Sequence, residues 1–157
     1  MPRSKETLAP TTPAGEDAED IGEIRDIVGF HLRLAHGAVY RHFTETFTDL
    51  GLTQKQVSVL WLVDDHPGIA QTGLAQRMRM DRATTMAIVN RLEARDLLER
   101  GKSETDGRKQ TLHLTAAGHA MLATAKDAIR SHEDWLKSRY TAREVNILIE
   151  LLTRLHE

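Results

Sequence analysis

Cysteine is absent from the 157 residues of this chain, and aromatic residues make up only 4% of them. The absence of cysteine excludes disulfides, thiolate metal sites, iron–sulfur clusters and a cysteine nucleophile. The longest unbroken apolar run is the five residues Val59–Val63, which is far too short for a transmembrane helix. The N-terminus also lacks the apolar stretch of a signal peptide. We therefore expect a cytoplasmic protein without a membrane partner.

Motifs typical of enzymes are missing as well. The sequence contains no G-x-S-x-G nucleophile elbow, no Walker loop and no G-x-G-x-x-G turn. Its serine, histidine and acidic residues are scattered along the chain rather than grouped. The sequence therefore predicts no catalytic residues, no cofactor and no enzyme activity.

Charge is unevenly distributed along the chain. The whole sequence has 21 Lys and Arg against 23 Asp and Glu, a net charge of -2. Residues 69–115 alone carry nine basic and six acidic side chains, so this middle segment is basic and its flanks are acidic. Such an asymmetry is a weak sign of a surface that faces a polyanion.

The first 20 residues have the composition of a disordered arm. They hold three of the four prolines, and Leu8 is their one large aliphatic residue after Met1. Such a segment buries too little apolar surface to offset the entropy lost when it becomes ordered. The remaining residues, 21–157, are predicted to form a single, mainly α-helical domain.

Helical periodicity dominates the first part of that domain. Apolar residues at helical spacing predict one long amphipathic helix over residues 21–50. Thr53 then has the position of an N-cap for a helix over 54–65, which ends at His66-Pro67-Gly68 because proline and glycine do not continue a helix.

A helix-turn-helix follows. A short helix over 72–78 and a tight turn lead to Asp81, a second predicted N-cap, and to a helix over 82–95. Two helices joined by so short a turn are typical of this motif.

The apolar period then changes from helical to two. Strands are predicted over 97–100 and 108–114, with Asp106-Gly107 in the turn between them. A β-hairpin directly behind a helix-turn-helix is a wing. Two further helices are predicted after the caps Thr115 and Thr141.

The order of these elements and the residues within them resemble the MarR family of bacterial winged helix-turn-helix transcriptional regulators. One departure is Asp96, where family members usually carry glycine before the first wing strand, although aspartate tolerates left-handed backbone. The resemblance spans residues 21–157 and is carried by Leu52-Thr53-Gln54, Leu74-Ala75-Gln76-Arg77-Met78, Asp81-Arg82-Ala83-Thr84, Val89-Asn90-Arg91-Leu92-Glu93, Leu97-Leu98-Glu99-Arg100, Asp106-Gly107-Arg108-Lys109-Gln110, Leu112-His113-Leu114-Thr115-Ala116-Ala117-Gly118 and Thr141-Ala142-Arg143-Glu144.

The resemblance implies a homodimeric transcriptional repressor that binds double-stranded DNA. Helices over 21–50 and 116–156 are expected to interlock across a two-fold axis, and each winged-helix lobe, residues 53–115, to reach one half of a palindromic operator. The resemblance further implies release of the operator by a small organic effector, an aromatic or phenolic acid or a related thioester.

DNA contacts are expected on the outward face of the 82–95 helix and on the wing. In the major groove, Asn90 suits adenine, Arg82 suits guanine or phosphate, and the apolar residues suit thymine methyl groups. An arginine near a hairpin tip suits the minor groove, and Asp106 is expected to orient Arg108 through a charge-assisted hydrogen bond. The predicted DNA-binding residues are Arg82, Ala83, Thr84, Met86, Ala87, Asn90, Arg91, Arg108 and Lys109.

An effector pocket is predicted beside the 21–50 helix. His31 and His42 fall on its apolar stripe, Arg41 borders the stripe, and Trp61 offers a flat wall. The histidines equally suit a packed core. A metal-responsive regulator and an effector-free architectural DNA-binding protein stay open as alternatives. No metal ligands are assigned, because His31 and His42 lie about 16 Å apart along one helix and cannot share an ion.

Overall fold

The computed structural model of the chain describes residues 21–157, and the predicted disordered arm lies outside these residues. The described chain divides into an N-terminal unit, which ends at Ala35, and a larger unit, His36–Glu157. Among residues 21–157, no helix is long and apolar enough to cross a bilayer.

The first helix is shorter than the sequence predicts. Helix α1 spans Val28–Phe47, and a separate 3-10 turn, Gly22–Asp26, precedes it. Ile27 is extended between them, and Gly22 has φ +68°, so the helical backbone is interrupted although the apolar spacing continues. A second 3-10 turn, Thr48–Leu50, ends at left-handed Gly51.

The predicted winged helix is confirmed in the larger unit. Its helices are α2 (Gln54–Asp65), α3 (Gln71–Met78), α4 (Arg82–Ala94), α5 (Ala116–Lys137) and α6 (Ala142–Thr153). The strands are β1 (Ile69–Ala70), β2 (Leu98–Lys102) and β3 (Gln110–Leu114). They form one antiparallel sheet in the order β1-β3-β2, in which Arg100 pairs with Leu112. The two-residue strand β1 was not predicted.

Side-chain caps set the helix starts as the sequence indicates. Thr53 and Gln56 form a reciprocal capping box on α2, and Thr141 and Glu144 form another on α6. The carboxylate of Asp81 accepts the Thr84 N–H at 2.7 Å at the start of α4. Each cap satisfies backbone donors that would otherwise lack a partner, so each fixes where its helix begins.

The core lies where α2, α3 and α4 meet the sheet. Leu60, Leu74, Val89 and Leu92 are fully buried there, and they position α4 as a rigid body. Helix α5 adds Leu122 and Ala125 to the same core. Helix α6, in contrast, has no buried residue.

A close backbone contact joins α5 to the wing. Gly118, in the first turn of α5, leaves no room for a Cβ, which would overlap the carbonyl oxygen of Leu97. Thr115 strengthens this junction, because its hydroxyl donates to the Asp96 carbonyl at 2.6 Å and accepts the Gly118 N–H at 2.9 Å. Asp96 has φ +58°, so the left-handed conformation expected of it is confirmed.

We predict that Gly118→Ala destabilises the protein by about 1–3 kcal/mol, because the added methyl group must displace the Leu97 backbone. Gly73→Ala is the matched control. At that position within α3 a Cβ meets the flexible Arg77 side chain at 3.4 Å, and glycine-to-alanine changes inside helices usually stabilise by up to about 1 kcal/mol. Urea denaturation measures both variants, and equal stabilities would contradict the prediction.

Candidate nucleic-acid interface

The turn between α3 and α4 fixes the direction of α4. Arg79 ends α3 in the left-handed conformation, with φ 49° and ψ 44°. The buried Thr85 hydroxyl donates to the Asp81 carbonyl at 2.9 Å, and Asp81 caps α4. Hydrogen bonds from Thr84, first from its backbone N–H and then from its hydroxyl, lower the pKa of Asp81 below its usual value. The start of α4 is therefore held by an ionised cap.

One face of α4 is exposed. It carries Arg82, Ala83, Met86, Ala87, Asn90 and Arg91, all predicted to contact DNA, whereas the intervening Thr85, Ile88, Val89 and Leu92 are buried. Met86 is 49% exposed, so its side chain is accessible from outside the domain. Thr84 is half-buried, and its hydroxyl donates to Asp81 at 2.7 Å.

Free cations surround this face. Among residues 21–157, nothing hydrogen-bonds or ion-pairs with the side chains of Arg82, Arg91, Arg108 or Lys109. Exposed cations without internal partners are available to phosphate oxygens.

The wing turn differs in one detail from the expectation. The Asp106 carboxylate accepts the backbone N–H of Arg108 at 3.1 Å, rather than its guanidinium. Ser103 closes the same turn by donating its N–H to the Lys109 carbonyl at 3.0 Å. Asp106 therefore shapes the backbone that carries Arg108 and leaves the guanidinium exposed.

Three basic residues of the middle segment have internal partners, and the first is Arg77, which donates to the Gly73 carbonyl at 3.3 Å. Arg95 donates to the carbonyl oxygens of Gly51 at 2.7 Å and Leu50 at 3.2 Å, which ties the end of α4 to the turn before α2. Arg100 donates to Asn90 and Glu93. Composition alone counts these arginines with the DNA-facing ones, but their contacts here are structural.

A cleft of about 510 Å³ opens beside the exposed face of α4, and Ala87 and Arg91 belong to both. Sequence reasoning did not assign His36, Tyr40 or Lys55 to a site, although the helical spacing of His36 and Tyr40 is a usable signal. Their rings stack with centroids 6.2 Å apart. The residues that line the cleft are His36, Tyr40, Thr53, Gln54, Lys55, Gln56, Thr84, Ala87, Ile88 and Arg91.

Each predicted pocket residue has surroundings of its own. His31 lies in the N-terminal unit, where its Nε2 is 2.6 Å from the Arg25 carbonyl oxygen. Arg41 is exposed. The ring of Trp61 lies under the ammonium group of Lys126, 4.9 Å from its centroid. Neither Arg41, His42 nor Trp61 lines the cleft beside α4.

His42 belongs instead to a cluster of rings between α1 and α5. Its Nδ1 lies 2.7 Å from Nδ1 of His132, and its ring stacks on Trp135 with centroids 4.0 Å apart. His132 is 5% exposed and meets the edge of Phe43. Sequence reasoning missed His132, because nothing local signals a partner 90 residues away.

No metal site is evident in residues 21–157, since no three His, Asp or Glu side chains converge there. In the His42–His132 pair, one imidazole must donate and the other accept.

These features together define a winged helix-turn-helix domain: a helix-turn-helix with an exposed second helix, a hairpin behind it, and unpaired cations on both.

Comparisons with known proteins identify the family of this domain. The model of the MarR family matches residues 50–109. A putative transcriptional regulatory protein for the hcr operon of Thauera aromatica is 34% identical over 92% of this chain and 89% of its own length.

Solved structures agree with that placement. The transcriptional repressor CouR bound to a 23-mer DNA duplex has a TM-score of 0.82 and 33% identity, over 87% of this chain and 97% of CouR. CouR bound to p-coumaroyl-CoA has a TM-score of 0.77 and 32% identity, over 86% of this chain and 95% of CouR. The chain belongs to the MarR family and is a transcriptional regulator of that type, as the sequence motifs indicate.

The His132 cluster makes stability depend on pH. Burial first, and the neighbouring His42 second, lower the pKa of His132 below its usual 6.5, while Glu133 raises it. Below pH 6.5 the unfolded chain therefore takes up a proton that the folded chain resists. The stabilising contribution of neutral His132 is present above this pH and is lost as pH falls through the folded-state pKa.

We predict that the difference in free energy of unfolding between wild type and His132→Gln becomes smaller as the pH falls from about 7.5 to about 5. Urea denaturation across this range measures it, with the exposed His156→Gln as control. The caps Asp81 and Glu144 do not interfere, because their lowered pKa values lie below 3.8 and 4.5. Parallel pH profiles for wild type and His132→Gln would contradict the prediction.

Proposed function

We propose that this protein is a homodimeric repressor that binds a palindromic DNA operator and releases it when a small organic effector occupies the cleft beside α4. The observation that carries the proposal is the shared helix. Ala87, Ile88 and Arg91 of α4 line the cleft, and the same helix presents Ala83, Met86 and Asn90 outward. A ligand in the cleft therefore touches the helix that reads DNA.

The DNA side of the proposal rests on charge and shape. A major groove is wide enough to admit an α-helix such as α4, and Arg108 on the wing suits the adjacent minor groove. The similarity to CouR bound to a DNA duplex supports this arrangement. In bacteria such a protein acts in the cytoplasm, where the DNA is.

The dimer accounts for apolar surface that each lobe leaves uncovered. Helix α6 exposes Ile147, Ile149 and Leu151 by 45% to 56% and buries no residue. In the N-terminal unit, Ile27 and Val28 are 55% and 71% exposed. Large contiguous apolar patches on a soluble chain mark interaction surfaces. We assign the terminal helices, residues 21–50 and 116–156, to the dimer, and residues 53–115 to the DNA-binding lobe.

The cleft favours an anionic, flat effector. Lys55 and Arg91 bring positive charge to its wall, His36 and Gln56 bring polar groups, and Tyr40 brings an aromatic face. An anion that leaves water needs such partners, because an unpaired buried charge is costly. A cleft of about 510 Å³ lies within the range of small-molecule sites. The similarity to CouR bound to p-coumaroyl-CoA supports an aromatic acid or its thioester.

Release requires that the effector bind one state of the protein better than the other. A ligand shifts an equilibrium only by the ratio of its affinities for the two states. The cleft and the residues proposed to contact DNA share α4. An arrangement of the dimer that fits the ligand therefore need not place its two copies of α4 in successive major grooves.

A substitution on the wing tests the proposed DNA binding. Arg108→Ala is expected to weaken binding to an operator selected from random duplexes, and to lower the slope of log affinity against log salt by about one. Thermal stability should stay unchanged, since the guanidinium has no partner among residues 21–157. The control is Arg130→Ala on α5, where the arginine pairs with Asp127. Wild-type affinity and slope in Arg108→Ala would place this side chain outside the interface.

The proposed effector class is tested by titrating p-coumaroyl-CoA and free p-coumarate, as probes, against the protein–operator complex. Release of DNA by either probe is expected, and Lys55→Met should require at least about tenfold more of it, because one ionic contact is lost. Lys137→Met, at an exposed lysine paired with Glu133, is the control.

A chelator provides the contrasting arm of the same titration. Release by a chelator alone would identify a metal-responsive regulator. Operator binding that no organic acid or thioester disturbs would favour an effector-free architectural protein. An equal response in Lys55→Met and wild type would remove the cleft from the mechanism.

A further inference from the structure

Arg100 of the wing strand β2 reaches across to the recognition helix α4. Its Nη2 donates to Oδ1 of Asn90 at 2.7 Å, and its Nη1 donates to Oε2 of Glu93. Asn90 and Glu93 are three residues apart and therefore share one face of α4. The Arg100 side chain is only 21% exposed, so water competes less for these bonds than it does at an open surface.

This contact fixes which way the Asn90 amide points. Arginine has only hydrogen-bond donors, so the amide oxygen, and not the nitrogen, must face Arg100. The amide NH₂ group is left at the other corner of the side chain, and it has no hydrogen-bond partner within residues 21–157. Asn90 is exposed on the same face as Met86, which lies one turn nearer the start of α4.

An asparagine that recognises adenine uses both corners of its amide. The oxygen accepts from the adenine N6 amino group, and the nitrogen donates to N7. Here the oxygen already accepts from a cation, and the adjacent positive charge disfavours the approach of a second amino donor. Guanine presents two acceptors, N7 and O6, in the major groove. A free NH₂ group beside a guanidinium therefore matches guanine better than adenine.

We propose that Arg100 is a positioning residue that sets Asn90 as a hydrogen-bond donor, so that the recognition helix selects guanine rather than adenine at the base pair that Asn90 contacts. This inference rests on the proposed DNA-binding function. It revises the adenine contact that the sequence alone suggests for Asn90. Glu93 contributes by holding the other arm of the Arg100 guanidinium.

The test is a selection from a library of random-sequence DNA duplexes with the purified full-length protein. Wild type is expected to enrich a motif with guanine at one position in each half-site. Asn90→Asp keeps an acceptor for Arg100 but has no NH₂ group. It should lose guanine at that position and gain cytosine, whose N4 amino group donates to a carboxylate. In competition assays the wild-type motif should bind this variant at least about tenfold more weakly.

A second variant separates positioning from direct contact. Arg100→Met removes the donors and frees the Asn90 oxygen, so adenine should become accepted at the same position. Glu93→Gln is the control, because it keeps an acceptor for Arg100 and leaves the Asn90 contact intact, and its motif should match that of wild type. Circular dichroism checks that each variant is folded. The Asn90→Asp result decides the donor assignment by itself, whereas a folded Arg100→Met variant that enriches the wild-type motif would overturn the positioning role of Arg100.

The outcomes distinguish the two levels of the proposal. A wild-type protein that enriches no motif would overturn the DNA-binding function and this inference with it. A wild-type motif that reads adenine at the Asn90-dependent position would overturn the donor assignment alone. The same holds if Asn90→Asp changes no position of the motif.

Discussion

The backbone of Leu97 is the point on which the arrangement of α4, the wing and α5 depends. Its N–H donates to the Leu92 carbonyl at 3.0 Å, which completes the turn that ends α4. Its carbonyl oxygen accepts the Thr115 N–H at 3.3 Å and lies against Gly118. The backbone of one residue thus connects the end of the recognition helix, the base of the hairpin and the first turn of the next helix. The absence of a side chain at Gly118 is what allows the three to meet.

Because that junction is rigid, α4 and the wing form one reading unit. Arg100 adds a side-chain connection between the same two elements, and the buried Val89 and Leu92 anchor α4 in the core. In the proposed dimer, operator binding would depend on the orientation of this unit. Tyr40, Lys55 and Arg91 line the cleft beside α4, so a molecule bound there would contact this unit directly.

Local chemistry made much of the fold predictable. Thr53 and Asp81 mark the starts of α2 and α4 because their side chains satisfy the first backbone donors of a helix, and this depends only on neighbours in sequence. The break at Ile27 was missed, since the apolar spacing runs through it. The two-residue strand β1 was missed because it exists only through its pairing with β3.

The site was less predictable than the fold, because its contacts join residues that are distant in sequence. The exposed face of α4 follows from helical periodicity. The partners of its polar groups do not, because they come from other elements: Arg100 bonds Asn90 across ten residues, and His132 meets His42 across 90. Identical residue types, such as Arg95 and Arg91, therefore differ in role, one bound to two carbonyl oxygens and the other free.

The carbonyl contacts of Arg95 also make α4 a lever. They hold its C-terminal end against the turn at Leu50 and Gly51, while Arg82 and Ala83 lie at the opposite end. The helix has 13 residues and is about 20 Å long. In the proposed mechanism, a ligand that presses on Ala87 would therefore rotate the unit of α4 and the wing about this held end. A tilt of about 10° moves the far end by about 3 Å, which is as long as a hydrogen bond. The residues nearest the start of α4 would then be the first to leave the bases that they are proposed to contact.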